Sequence, residues 1–163
     1  MASGITYLPF GPVTGLTYGN SLTLTASFDQ DYRMTSRVVS SVFNHTYTYD
    51  DNGNVTQKGG HTYDYDGMNR IVEEVFGMTT TAWAYDSIGN RTSETVNSTP
   101  VTYTYPAGSS KLSSVGATSY TYDAMGNVTA KGAQSFVYNA AAQMNEAKLS
   151  GATVGVAQTI IGA

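Results

Sequence analysis

The stretch YTYDDNGNVTQKG, Tyr47 to Gly59, returns as YTYDAMGNVTAKG, Tyr120 to Gly132. A catalytic constellation is normally assembled once in a domain, whereas a phrase spelled out repeatedly marks a structural unit that is stacked on its neighbours. Aligned on the aromatic that precedes the aspartate, the units are Phe28-Asp29, Tyr49-Asp50, Tyr65-Asp66, Tyr85-Asp86, a degenerate Tyr105-Pro106, Tyr122-Asp123 and a degenerate Tyr138-Asn139. Their spacings are 21, 16, 20, 20, 17 and 16 residues, so the period allows two short strands and two turns per unit.

The chemistry of the unit follows from its letters. In YTY the residues alternate, which sets Tyr47 and Tyr49 on one face of a strand and Thr48 on the other. The aspartate that follows can accept backbone N–H groups and open a type I turn. Three residues on stand Gly53, Asn69, Gly89 and Gly126, residue types that tolerate the left-handed conformation closing a turn with a bulge. Asn54, Arg70, Asn90 and Asn127 come next and begin the return strand. Second turn signals stand between the units: KGG at 58–60, FGM at 76–78, NSTP at 97–100, VGA at 115–117, KGA at 131–133 and SGA at 150–152.

The pattern predicts an all-β fold, an antiparallel meander of roughly a dozen short strands. The segment NAAAQMNEAKL, 139–149, has helix-forming letters but occupies a repeat register and is assigned to a strand. Residues 1–20 are expected to be an irregular linking segment, 21–150 the repeat sheet, and 151–163 an edge strand or a disordered tail. No charge falls between Gly151 and Ala163, and an uncharged β-branched edge recruits further strands, so copies of the chain itself are expected partners.

Composition supports this fold and narrows function. Thirteen tyrosines and seventeen glycines accompany abundant Thr, Ser and Asn, with only 12% charged residues. A net charge of −4 without a basic stripe argues against nucleic acid as a partner. The absence of cysteine removes disulfides and thiolate chemistry. The first residues carry no signal peptide, and no stretch reaches membrane-spanning length, so neither membrane insertion nor a membrane anchor is expected.

Candidate chemistry is sparse. His45 and His61 occupy the same place in successive units, HTYTYD and HTYDYD, which favours a repeat position over a catalytic or metal pair. Asp50, Asp51, Asn52 and Asn54, or Asp64, Asp66 and Asn69, lack the Gly and Glu spacing of a calcium loop and read as turn caps. Five sequons, at Asn44, Asn54, Asn90, Asn97 and Asn127, follow from Thr-rich strands. No nucleophile elbow, phosphate loop or dinucleotide fingerprint is present. No metal, cofactor or catalytic residue is therefore expected, and the protein is read as non-enzymatic. Tyr47, Tyr63, Tyr103 and Tyr120 are the candidate ligand-facing aromatics of the alternative reading, a carbohydrate- or partner-binding sheet with a Tyr-lined face.

The recurring Tyr-Asp-x-x-Gly-Asn pattern resembles the YD or Rhs repeat of bacterial Rhs proteins, of the cocoon-forming subunits of insecticidal Tc toxins, and of teneurins. The motif residues that carry the resemblance are Tyr49, Asp50, Gly53, Asn54, Tyr65, Asp66, Asn69, Tyr85, Asp86, Gly89, Asn90, Tyr122, Asp123, Gly126 and Asn127, within roughly residues 18 to 150. The resemblance implies a curved or spiralling β-sheet strip that forms the wall of a hollow shell around toxin cargo or part of an adhesive surface. It implies a secreted or cell-surface location as part of a larger bacterial protein, whose remainder would be the principal partner. Family shells need several times this many repeats, and the self-cleaving segment that ends bacterial shells is not found, since no Asp-Pro occurs. The chain is therefore expected to be an excerpt of a longer array.

Overall fold

The computed structural model describes residues 1–150 and 152–156, and among these every regular element is a β-strand. The chain divides into two compact units, residues 1–82 and 83–163. The first holds β1 (Ser3–Tyr7), β2 (Val13–Thr17), β3 (Thr23–Phe28), β4 (Met34–Val39), β5 (Phe43–Tyr49), β6 (Val55–Lys58), β7 (His61–Tyr65) and β8 (Ile71–Phe76). The division falls inside β9 (Thr79–Tyr85). The second holds β10 (Arg91–Val96), β11 (Thr99–Thr104), β12 (Ser114–Val115), β13 (Thr118–Tyr122), β14 (Val128–Lys131), β15 (Gln134–Tyr138), β16 (Met144–Leu149) and β17 (Ala152–Val156). Within each unit strands pair antiparallel with their sequence neighbours, the meander that the repeat predicts.

Two features differ from the sequence expectation. Residues 1–20 are not irregular: β1 and β2 pair through Ser3↔Thr17 and Tyr7↔Val13. The turn between them uses Pro9 and a left-handed Phe10 (φ 55°), with Gly11 N–H donating to Leu8 C=O, so the Pro/Gly letters there punctuate a hairpin. The repeat region is also divided between two units, a division that repeat spacing does not mark. At the other end β17 is a strand paired with β16, while Gly151 and residues 157–163, which carry the rest of the self-association expectation, lie outside the described residues.

The alternation of letters becomes an alternation of faces. In β5 the half-buried residues are Phe43, His45, Tyr47 and Tyr49, and the intervening Asn44, Thr46 and Thr48 are exposed. β11 and β13 repeat this with Val101 and Tyr103, then Thr118, Tyr120 and Tyr122. Burial is shallow. Among the described residues only Leu24, Ala26 and Val39 are buried, at 9%, 6% and 7% exposure. Leu24 and Val39 lie on one cross-strand row of the first unit, where Leu16 opposes Leu24, Leu24 opposes Val39 and Val39 opposes Phe43, while Ala26 opposes Arg37. Apolar burial this thin shifts the work of specifying the structure to ladder and turn hydrogen bonds.

Candidate functional site

The feature built most often is the turn after the aspartate. In the Asp50 turn, Asp50 N–H donates to Asn54 C=O (3.0 Å) and Gly53 N–H to Asp50 C=O (3.1 Å). The Asp50 carboxylate closes the rest: Oδ1 accepts the Asn52 and Asn54 amides at 2.9 and 2.8 Å, and Oδ2 accepts the Asn54 side-chain amide at 2.8 Å. The same set is made by Asp66 with Met68 and Arg70, by Asp86 with Ile88 and Asn90, and by Asp123 with Met125 and Asn127. Asp29 makes it with Asp31 and Arg33; the degenerate Asn139 accepts the Ala141 and Gln143 amides on Oδ1, but its own side-chain N–H donates to Gln143 Oε1. The Tyr105-Pro106 unit keeps the turn, with Ser109 N–H on Pro106 C=O, but has no carboxylate to cap it.

The third residue after each capped turn start is left-handed: Gly53, Gly89 and Gly126 at φ 85°, 93° and 90°, and Asn69 at 59°. Tyr32 and Ala142 hold the same place at 61° and 58°. The strand register shifts at the turns after Asp29, Asp50, Asp66, Asp123 and Asn139, between Thr48 and Tyr49 for instance, which is the bulge that a left-handed residue introduces.

Every capping carboxylate is held below its ordinary value of 3.8. For Asp50 and Asp123 the leading cause is the hydrogen bond from the Asn54 or Asn127 side chain; for Asp66 it is the Arg70 backbone N–H. For Asp29 and Asp86 burial pushes upward, and the hydrogen bonds from Arg33 and Asn90 outweigh it. A depressed carboxylate contributes stability that is present above its unfolded pKa and is lost as pH falls through the lower folded one. The melting temperature is therefore expected to hold from neutrality to about pH 4 and to fall below that. A variant with all five aspartates changed to asparagine should show a flatter acid limb, because Asn139 already makes the same turn without a titrating group.

The anchor tyrosines join one unit to the one before. Tyr49 Oη–H donates to Met34 C=O (2.7 Å), Tyr65 to Val55 C=O (2.8 Å) and Tyr122 to Leu112 C=O (2.8 Å). Burial raises the pKa of Tyr49 and Tyr65, with Asp29 adding to the first and Asp50 to the second. Turns are linked as well: Asn54 donates to Asn69 Oδ1 at 2.8 Å, and Asn90 to Ser109 C=O at 3.1 Å. Removing one hydroxyl, in Tyr65→Phe, is expected to cost about 1 kcal/mol in urea unfolding with the m value unchanged.

The four candidate ligand-facing tyrosines are half-buried. Tyr103 lies beneath Arg91, 4.3 Å from guanidinium carbon to ring centre, and its oxygen accepts from that side chain at 2.7 Å. Tyr120 lies beneath Lys131 at 5.9 Å, and Tyr47 opposes Lys58 in register. Tyr63 stacks with His61 at 6.1 Å, and among the four it alone lines the cavity that also holds His45 and His61. His61 Nδ1 is 2.8 Å from Glu74 Oε1. No group of three or more metal-ligating side chains occurs among the described residues.

Sequence reading missed the donor four residues after each aspartate. The signal was present: after the aspartates that place is Arg33, Asn54, Arg70, Asn90 or Asn127, always a side chain with an N–H to give, and after Asn139 it is Gln143, whose side-chain oxygen accepts.

No family model matches the chain, and no curated protein sequence matches it. Solved structures do. A structure of the Photorhabdus luminescens Tc holotoxin pore with a mutated TccC3 aligns over 100% of this chain at TM-score 0.72 and 17% identity. A TcdB2-TccC3-Cdc42 crystal structure aligns over 91% at TM-score 0.70 and 18% identity, and a TcdB2-TccC3-TEV structure over 100% at 0.70 and 17%. At this identity the likeness establishes the fold. The chain spans about a tenth of the length of each of those chains, 10% in all three. The fold that the motif's resemblance implies is thus met in solved Tc toxin structures.

Proposed function

We propose that the chain is a non-catalytic structural segment, a stretch of wall in a YD-repeat shell outside the cell that encloses toxin cargo. The observation that carries this reading is the recurrence of one capped turn at Asp29, Asp50, Asp66, Asp86, Asp123 and Asn139, in a fold that aligns along its whole length with a tenth of a Tc toxin chain. Repetition of this kind extends a sheet and leaves no residue set apart for chemistry. The partner is then the remainder of a larger bacterial protein. No helix among the described residues is long and apolar enough to cross a membrane.

The test is an exchange. The aligned tenth of a TcdB2-TccC3 shell is replaced by this chain, and protease resistance of the enclosed cargo is measured. The reading expects a closed shell and protected cargo. A chimera that folds yet leaves cargo as sensitive as in an opened shell would refute it.

A further inference from the structure

Asn52 is the one asparagine of the chain that is followed by glycine. It stands two places after Asp50 in the capped turn and is exposed. Among the described residues its side-chain amide makes no hydrogen bond. Other turn amides are committed: Asn54, Asn90 and Asn127 each donate to Oδ2 of the aspartate before them, and Asn139 donates to Gln143. Asn20 and Asn97 are exposed too, but each precedes a serine.

Gly53 supplies the second half of the pair. It puts no Cβ beside its own backbone nitrogen, and a Cβ built there meets nothing within 4 Å, so no other turn crowds the place. The turn itself is the restraint. Gly53 N–H donates to Asp50 C=O (3.1 Å), and Asp50 Oδ1 accepts the Asn52 N–H (2.9 Å), so an opened turn is what frees the Gly53 nitrogen. The single Asp-Gly pair, Asp66-Gly67, is the internal contrast. Its side chain is an ionised carboxylate, a poor electrophile, and is pinned by the Met68 and Arg70 amides (2.9 and 3.0 Å) and by Arg70 Nε (2.6 Å).

We infer that Asn52 is a self-modification site, converted by its own turn to aspartate and isoaspartate with water as the co-reactant. The Gly53 backbone nitrogen attacks Asn52 Cγ and closes a succinimide. The bond from Cγ to the side-chain nitrogen breaks, and that nitrogen leaves as ammonia with the Gly53 proton. Water then opens the ring. Opening at Cγ yields aspartate; opening at the backbone carbonyl carbon yields isoaspartate, whose main chain runs through Cγ and is longer by one carbon. The two products differ in effect. Asp31 already holds the corresponding place in the Asp29 turn, so aspartate fits. The extra main-chain carbon of isoaspartate falls between the Asn52 and Asn54 amides, which Asp50 Oδ1 holds together. The Gly53 and Asn54 bonds to Asp50 then lose their alignment, and with them the tie from Asn54 to Asn69 (2.8 Å).

The test is incubation of the whole chain in warm, mildly alkaline buffer, followed by peptide mapping in a mass spectrometer and an isoaspartyl assay. Asn52 is expected to convert before any other asparagine, with isoaspartate among its products. Gly53→Asn keeps a residue type that Asn69 shows the turn accepts, but sets a side chain beside the attacking nitrogen, and should slow conversion of Asn52 about tenfold. Asp50→Ala removes the cap, so the turn opens more often and conversion should speed up about tenfold. In the isoaspartate fraction the Asn54 amide should exchange faster, with the Asn90 and Asn127 amides unchanged. No conversion, conversion first at Asn20 or Asn97, aspartate without isoaspartate, or an unchanged rate in Gly53→Asn or Asp50→Ala would each overturn the assignment.

Discussion

Gly53→Val is expected to destabilise the first unit by about 1–2 kcal/mol, and Gly53→Asn by much less. The reason lies in the backbone alone. Gly53 sits at φ 85°, and a Cβ added there meets nothing within 4 Å, so packing adds no cost. The chain contains its own controls. The corresponding places are held by Tyr32, Asn69 and Ala142 at φ 61°, 59° and 58°, and among the described residues no left-handed residue outside glycine is β-branched. Valine brings that branching into the one region where it clashes with the backbone. Urea denaturation of the two variants checks this, and equal midpoints would show that the third position does not set the turn.

Leu24→Ala is expected to cost about 2–3 kcal/mol, the low end for a leucine truncation, because the surrounding layer is thin. Leu24 lies in the middle of the row Leu16, Leu24, Val39 and Phe43, and it is 9% exposed where most other apolar side chains among the described residues are half-buried or exposed. For a unit of this size the melting temperature should drop about 4–8 °C per kcal/mol. Val137→Ala, at a site 45% exposed, should stay within about 0.5 kcal/mol, so calorimetry on the pair separates a buried row from a generally apolar sheet.

How much of this was legible follows from what each residue contributes. The aspartate and the glycine three places on announce themselves, since few side chains cap a turn and few backbones adopt positive φ. Alternation in YTY gave the faces of β5 and β13 for the same reason of local geometry. The tyrosine bonds were not legible. Tyr65 donates to a carbonyl at Val55, and every residue has a carbonyl, so the acceptor leaves no mark in the letters. The strands in residues 1–20 were hidden because their letters depart from the motif while their backbone follows it. Tyr18 N–H donates to Leu22 C=O, and Ser21, at φ 66°, donates back to Tyr18 C=O, with no aspartate involved. The cleft at His45 and His61 was out of reach too, since it depends on which rings lean over Gly59 and Gly60.

The central claim is that one capped turn, repeated, builds the protein, and amide hydrogen exchange read residue by residue tests it most directly. The amides of Arg33, Asn54, Arg70, Asn90, Asn127 and Gln143 each donate to the Oδ1 of the turn's first residue. The amides of Gln30, Asp51, Gly67, Ser87, Ala124 and Ala140, one place after that residue, make no such bond among the described residues. The account predicts slow exchange in the first set and fast exchange in the second, at every turn from Asp29 to Asn139 apart from the one at Pro106. Uniform exchange across both sets, or protection confined to one or two turns, would contradict it.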